Sequence, residues 1–227
     1  MLALALNVPA LAPTVAPMRP AVASSSVRMG VESMEGISVE TANKVFDPYG
    51  LSKLGGEETL AFFRHAEIKH GRVAMAAMTG FLFHINGIHF SGDLSPTFGV
   101  SFDALSKMGP FDAWNAIPLL GQMQIIFTIG CLEHASESLN PDGHYTKGGT
   151  PGDLKFLKNF WDLPGFTKKL SAAQLAEKRE SELKNGRLAM IGVMSIVSAL
   201  AVPGSVPLLA NAPKLTGIAF ALPFSSF

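Results

Sequence analysis

Long apolar stretches, separated by segments rich in glycine, proline and polar residues, set the organisation of this chain. They predict three helices, over residues 57–86, 115–138 and 171–202. A fourth apolar stretch, 205–227, is interrupted by three prolines and predicts a surface or interfacial segment. The pattern therefore predicts an all-helical fold.

The residues at the ends of these stretches support the boundaries. Glu57 suits the positive N-terminal end of the first helix, and Ser171 is a good N-cap for the third. Pro203 ends the third helix, and Pro118 is expected in the first turn of the second, where proline is tolerated. The uncharged run 116–132 makes the second helix the clearest candidate for a membrane span.

Part of the first predicted helix recurs in the third. Residues 47–75 and 162–190 align without a gap at an offset of 115 positions, and 12 of the 29 positions are identical. The centre of each copy reads E-x-K-[HN]-G-R-x-A-M. This repetition indicates an internal duplication, and the single helix between the copies would make the two duplicated helices parallel, related by an axis along a membrane normal.

Composition favours a membrane protein. Charged residues make up 16% of the chain, below the roughly 25% of ordinary globular proteins, and the mean hydropathy is +0.28. The net charge of zero gives no indication of nucleic-acid binding. The single cysteine, Cys131, excludes an intrachain disulfide and a cysteine-based metal cluster.

The first 28 residues have the composition of an organelle transit segment. They contain no acidic residue, two arginines and a run of three serines. We therefore expect residues 1–28 to form a targeting leader and residues 29–227 to form one domain. Seven lysines and arginines lie in the segment 139–180, against one in 86–115. The positive-inside rule then places the N-terminus and the 139–180 segment on the same, cis side of a membrane.

The charged residues of the duplicated motif need partners if the first helix spans a membrane. Its uncharged core, 73–83, is shorter than the ~20 residues that a span requires. Glu67 and Arg72 lie five residues apart, about 140° around a helix, and so cannot pair well with each other. We therefore expect reciprocal pairs between the helices: Glu67 with Arg187, and Glu182 with Arg72.

The position three residues after each glutamate is not explained by these pairs. It holds His70 in the first copy and Asn185 in the second, and each glutamate, paired with one arginine, would keep lone pairs free. A chlorin-bound Mg²⁺ with one open axial site accepts a single ligand of this kind. Two alternatives are a purely structural polar clamp and a soluble di-iron bundle, but Asn185 is a poor iron ligand.

These residues resemble a known family. HAEIKHGRVAM (65–75) and ESELKNGRLAMIG (180–192) resemble the first and third membrane helices of the chlorophyll a/b and a/c light-harvesting superfamily. The segments 46–50 and 161–166 resemble its F-D-P-x-G turns, where carotenoid end groups dock. The resemblance covers about residues 45–205, and the short loops look like those of chlorophyll a/c proteins of the fucoxanthin or peridinin type.

The resemblance implies a fold and a set of pigment sites. The fold would be an all-α membrane protein with three transmembrane helices, the first and third forming a crossed pair with pseudo-two-fold symmetry. Axial ligands to chlorophyll Mg would be Glu67, His70, Gln124, Glu133, Glu182 and Asn185, with Arg72 and Arg187 neutralising glutamates and Asp47 and Asp162 in the carotenoid turns. On the second helix Gln122 is a rival to Gln124, and Glu133 has no obvious arginine partner.

The implied function is light harvesting and not catalysis. The cofactors would be chlorophyll a, chlorophyll c and a carotenoid of the peridinin, fucoxanthin or diadinoxanthin type. The expected partners are a photosystem I or II core, neighbouring antenna subunits and thylakoid lipids, in a multi-pass plastid thylakoid protein with its N-terminus in the stroma. Alternatives are a photoprotective quencher of the same family, a pigment-free membrane assembly protein and, more distantly, a soluble helical enzyme.

Overall fold

The computed structural model describes residues 31, 34–139, 143–154, 165 and 169–209. This part of the chain is mostly helical. Its helices and strands, in chain order, are α1 Glu57–Ile85, β1 Asp93–Ser95, β2 Val100–Ser101, α2 Phe102–Ser106, α3 Pro110–Ala116, α4 Leu119–Ser138 and α5 Ala172–Ala201. The predicted leader 1–28, residue Asp162 and most of the predicted tail segment lie outside the described residues.

The first and third predicted helices are confirmed as α1 and α5, each within one residue of its predicted ends. Asn86 is the C-cap of α1. Ser171 caps α5 through its side chain, which accepts a hydrogen bond from the backbone N–H of Gln174, and the Gln174 side chain accepts from the backbone of Ser171 in return. This capping box satisfies backbone donors that the first turn of a helix leaves open.

The predicted start of the second helix is wrong. The chain bends by 106° between α3 and α4, and Pro118 is the N-cap of α4 and not a residue of its first turn. Ile117 is extended, with φ −70° and ψ 133°, because proline disfavours the helical conformation of the residue before it. The helix therefore begins at Leu119, and its end at Ser138 agrees with the prediction.

The segment between α1 and α4, predicted as a loop, contains short regular elements. Strands β1 and β2 pair antiparallel, with Asp93 opposite Ser101. Ser101 then caps the short helix α2 by accepting a hydrogen bond from the backbone N–H of Ala104. Elements of two to seven residues are too short to show a periodic apolar pattern, and so periodicity does not predict them.

Helices α1 and α5 cross at two glycines. A Cβ added to Gly71 would lie 3.1 Å from the Cα of Gly186, and a Cβ added to Gly186 would lie 3.0 Å from the Cα of Gly71. Ala74 and Leu183, near the crossing, are buried. Small residues allow helix backbones to approach this closely, and the near-equal distances mean that the contact is the same when the two copies are exchanged.

Two regions of the described chain have the length and hydropathy of a membrane span. Helix α5 meets the criterion alone, with a mean hydropathy of 1.2 over its best window, and α3 with α4 meets it when both are counted across their bend. Most side chains of these windows are not buried inside the protein; only 17% of the α5 window is. Large contiguous apolar surfaces that the protein does not cover mark sites that face a membrane or a binding partner.

We expect Gly186→Ala to destabilise the protein by ~1–3 kcal/mol, the usual cost of overpacking, because the added methyl group meets the backbone of α1. The measurement is thermal unfolding in mild detergent, followed by circular dichroism. Gly130→Ala on α4 is the control, since a Cβ there meets nothing within 4 Å. Equal stability of the two variants would contradict the close crossing.

Candidate functional site

The two ion pairs expected from the sequence are present at the crossing of α1 and α5. Arg72 Nε donates to Glu182 Oε1 at 2.6 Å, and Arg187 Nε donates to Glu67 Oε1 at 2.8 Å. All four side chains are between 28% and 35% exposed. Each arginine therefore neutralises the glutamate of the other copy.

Each arginine is also held by a glycine carbonyl that the sequence analysis missed. Arg72 Nη1 donates to the carbonyl of Gly152 at 2.6 Å, and Arg187 Nη1 donates to the carbonyl of Gly36 at 2.8 Å. Both glycines have positive φ, +76° and +103°, which favours glycine. Each copy thus supplies a glycine carbonyl and a glutamate to the arginine of the other copy.

These glycines also lie where a side chain would collide. A Cβ on Gly152 would lie 2.7 Å from Ile68 Cδ1, and one on Gly36 would lie 2.9 Å from Arg187 Nη2. The two glycines are 116 positions apart, one more than the offset of the repeat. An alignment without gaps at 115 positions therefore could not match them, although each accepts a hydrogen bond from the arginine of the other copy.

The two glutamates differ in a way that was not expected. Glu67 pairs with two arginines, since Arg64 Nη1 donates to its Oε2 at 2.6 Å. The prediction of one arginine for each glutamate is therefore wrong for Glu67. The reason is local: Arg64 is three residues before Glu67 on the same face of α1. At the equivalent position of α5, Arg179 instead pairs with Glu35 at 2.7 Å.

His70 and Asn185 both lie exposed on the surfaces of their helices. His70 Nδ1 is 2.7 Å from the carbonyl of Ala66, so that ring nitrogen is the donor and Nε2 carries the free lone pair. Asn185 Nδ2 donates to the hydroxyl of Ser181 at 3.3 Å, which leaves Oδ1 as the acceptor. Each copy therefore presents one outward-facing ligand atom, oriented by a bond one turn earlier, as is usual for metal ligands.

On α4 the structure separates the two candidate glutamines. Gln124 is exposed, whereas Gln122 is 2% exposed and donates from Nε2 to the carbonyls of Trp114 and Ile117. Gln122 thus fastens the bend between α3 and α4 and is not available to an external ligand. Gln124 is the glutamine that fits a ligand role.

Glu133 has a cationic partner, which the sequence analysis did not identify. Lys69 Nζ of α1 donates to Glu133 Oε2, and it lies 3.4 Å from Glu137 Oε1. The sequence pattern does not reveal this partner, because Lys69 is one of the repeated residues and the repeat contains no acidic partner for it on the second helix. In the described part of the chain, no group of three or more His, Cys, Asp or Glu residues is placed to hold a metal ion.

The turn before α1 is held by Asp47. Its carboxylate accepts hydrogen bonds from the backbone N–H groups of Leu51, at 2.8 Å, and Ser52, at 3.0 Å, and from the hydroxyl of Ser52. These bonds, foremost that from the Ser52 hydroxyl, lower the pKa of Asp47 below its usual value. The aromatic rings of Phe46 and Tyr49 are left exposed beside this turn, 80% and 86%. The turn is therefore rigid and presents two uncovered rings.

His65 joins α1 to the segment before α5. It is buried, its Nδ1 accepts a hydrogen bond from the backbone N–H of Gly152 at 3.0 Å, and its ring stacks on that of Tyr145 at 4.1 Å. Gly152 is thus fixed at its N–H by His65 and at its carbonyl by Arg72. The bond to His65 keeps this glycine carbonyl in position for the arginine.

An apolar cavity of about 360 Å³ lies between α1, α3 and α5. Phe81, Phe111 and Val197 are among its lining residues. His84 also lines it and bonds through Nε2 to the carbonyl of Met108 at 2.9 Å. The cavity is therefore an apolar space with few polar groups, the kind of site that takes a largely hydrophobic molecule.

The sequence of this chain matches one protein family and several of its characterised members. The family model described as Chlorophyll A-B binding protein matches residues 32–200. A Fucoxanthin-chlorophyll a-c binding protein of Trieres chinensis is 33% identical over 211 residues, which cover 91% of this chain and 97% of that protein. The Fucoxanthin-chlorophyll a-c binding protein A of Phaeodactylum tricornutum is 35% identical over 154 residues, 67% of this chain and 71% of that protein. A further relative, protein E of Macrocystis pyrifera, is 33% identical over 178 residues, 77% of this chain and 76% of that protein.

We expect Arg72→Leu to lower the free energy of unfolding, because it leaves Glu182 charged and unpaired. The loss should exceed the ~1 kcal/mol of an exposed ion pair and approach the ~3–5 kcal/mol of a buried one. The double variant Arg72→Leu/Glu182→Leu should recover most of that loss, since no buried charge remains. Thermal unfolding in detergent measures both. Arg179→Leu, which breaks an exposed pair, is the control and should change stability by less than ~1 kcal/mol. A double variant as unstable as Arg72→Leu would contradict the role given to the charge.

Proposed function

The chain belongs to the chlorophyll A-B binding protein family, and from that membership we propose that it is a light-harvesting antenna protein. It binds chlorophyll a, chlorophyll c and a carotenoid of the fucoxanthin type. The proposal follows the curated relatives, whose names describe fucoxanthin-chlorophyll a-c binding proteins. In this role the protein carries out no bond chemistry: it holds pigments at fixed distances and orientations so that excitation passes between them.

The single observation that carries the proposal is the arrangement at the α1–α5 crossing. Two glutamates are neutralised by arginines of the opposite copy, and His70 and Asn185 each present one ligand atom on an exposed helix surface. Isolated single ligands suit the one open axial site of a chlorin-bound Mg²⁺. The donor set therefore fits chlorophyll.

We assign axial ligation of chlorophyll Mg to Glu67, His70, Gln124, Glu133, Glu182 and Asn185. Arg72 and Arg187 pair with two of these glutamates, so that neither ligand is an unpaired carboxylate at membrane depth. When bound, chlorophyll supplies the absorption of light and the excited state that is passed on. The chain itself supplies ligand atoms, ring orientation and local polarity.

The carotenoid sites of the proposal are the turn at Asp47 and its counterpart at Asp162. The described turn supports this role because the Asp47 bonds make it rigid and leave Phe46 and Tyr49 uncovered. Flat apolar rings of this kind pack well against a polyene end group. The apolar cavity between α1, α3 and α5 offers further space for the hydrophobic part of a pigment.

The membrane arrangement is also part of the proposal. The curated relatives are named as chloroplastic, and we assign this chain to the plastid thylakoid membrane with the N-terminus in the stroma. Three spans are proposed: α1, α4 with the preceding bend, and α5. Glu67 and Arg72 lower the mean hydropathy of α1. The reciprocal pairs support α1 as a span, since they neutralise these charges. The partners are a photosystem core and neighbouring antenna subunits.

We expect the protein, purified in mild detergent, to carry chlorophyll a, chlorophyll c and a carotenoid in fixed stoichiometry. Extraction with organic solvent, separation of the pigments and an absorption spectrum measure this. Excitation of chlorophyll c or of the carotenoid should give fluorescence from chlorophyll a, which shows transfer. A folded protein without stoichiometric pigment would overturn the antenna function and leave the polar clamp as the role of the motif.

The duplication suggests that the ligand residue of one copy can be replaced by the equivalent residue of the other copy. We expect His70→Asn to keep the full pigment complement, because Asn185 is the ligand at the equivalent position, whereas His70→Leu should lose one chlorophyll per polypeptide. Pigment stoichiometry after reconstitution measures both variants. Leu188→Ala, an exposed apolar position on α5, is the control for a surface change without loss of a ligand atom. Retention of all chlorophyll in His70→Leu would remove His70 from the ligand set.

A further inference from the structure

We propose that Lys69 is the positioning residue for the chlorophyll ligand Glu133, by supplying the cation that neutralises it. The inference rests on the proposed function and adds to it the counterion of a third glutamate. Lys69 of α1 donates to Glu133 Oε2 of α4. The bond uses one carboxylate oxygen and leaves Oε1 as the oxygen that can bind a metal ion.

The position of Lys69 on α1 explains how one helix serves two neighbours. Lys69 lies two residues after Glu67, about 200° around the helix. The side of α1 that carries Glu67 faces α5, where Arg187 pairs with it. Lys69 therefore lies on the side of α1 turned away from α5, and from there its side chain reaches Glu133 of α4.

Charge then distinguishes Glu133 from Glu137. The two acids are four residues apart, so they lie on one face of α4. One lysine cannot neutralise two carboxylates: it hydrogen-bonds Glu133 closely, whereas Glu137 Oε1 is 3.4 Å away. Glu133 is therefore the carboxylate that Lys69 chiefly neutralises, and Glu137 is the more distant of its two acidic neighbours.

The three candidate glutamate ligands now follow one rule. Each is paired with a cation from a different helix: Glu67 with Arg187, Glu182 with Arg72, and Glu133 with Lys69. Helix α1 provides two of the three cations. A chlorophyll bound by a bare carboxylate would carry a net negative charge at membrane depth, which is costly, and an interhelical cation removes that cost at every glutamate site.

The exposure of the pair fits a ligand that is still open on one side. The Lys69 side chain is 22% exposed, and the Glu133 side chain is 53% exposed. The lysine side chain is thus mostly covered, while the carboxylate retains an accessible surface that a flat ring can cover. A simple tether between helices would not require this accessible surface.

Pigment stoichiometry of four reconstituted full-length variants tests the inference. We expect Lys69→Met to bind one chlorophyll fewer per polypeptide than the wild type, because Glu133 becomes an uncompensated charge. Glu133→Gln should keep the full complement, since an amide oxygen is a neutral ligand. The double variant Lys69→Met/Glu133→Gln should also keep it, because a neutral ligand needs no cation. Lys69→Arg should behave as the wild type.

The matched control is Lys184→Met, at the equivalent position of α5. Lys184 pairs with Glu180 at 2.8 Å and lies 3.7 Å from Glu40, and neither acid is a proposed ligand, so its loss should leave the pigment count unchanged. Circular dichroism of each variant before pigment is added checks that its helix content matches the wild type.

Two results would overturn the inference alone. One is a Lys69→Met protein with the full complement of chlorophyll. The other is a double variant that still lacks one chlorophyll. That result would mean that Lys69 acts by holding the two helices together and not by neutralising Glu133, since a neutral glutamine at position 133 does not restore binding. A wild-type protein that binds no chlorophyll would overturn the proposed function and this inference with it.

Discussion

Charge neutralisation between helices is the constraint on which the rest of this structure depends. A glutamate that is partly buried between helices needs a cation, and five residues of separation prevent Glu67 and Arg72 from pairing with each other. Each charge is instead satisfied by the other copy of the motif. The helices must then approach closely enough for arginine to reach across, and this requires glycine at both crossing positions, Gly71 and Gly186.

The fold was largely predictable where a long pattern or a repeat carried the information. The ends of α1 and α5 and both reciprocal pairs were predicted from caps and helical spacing. The bend before Pro118 was not, because a proline in a first helical turn and a proline after an extended residue look alike in sequence. The two cases are distinguished only by the structure, in which Ile117 is extended and its carbonyl accepts a hydrogen bond from Gln122.

The candidate site was less predictable because several of its contacts join segments far apart in the chain. Gly36 and Gly152 bind the arginines from segments that align with each other only if one residue is inserted. The repeat has a lysine at this position in both copies, Lys69 and Lys184. The partner of Lys69, however, lies on α4, which is not duplicated. Sequence comparison between the copies therefore detects what they share and misses what the unpaired helix contributes.

This arrangement makes the two copies interdependent. Taken alone, the first copy would hold Arg72 without a glutamate or a glycine carbonyl, since both of its acceptors, Glu182 and Gly152, belong to the second copy. The second copy would leave Arg187 in the same condition. A half-buried charge without its partner costs more than the ~1 kcal/mol of an exposed pair. Each half is therefore stabilised in its native conformation by the other. The outward-facing atoms of His70 and Asn185, fixed to the same two helices, consequently depend on both copies for their relative position.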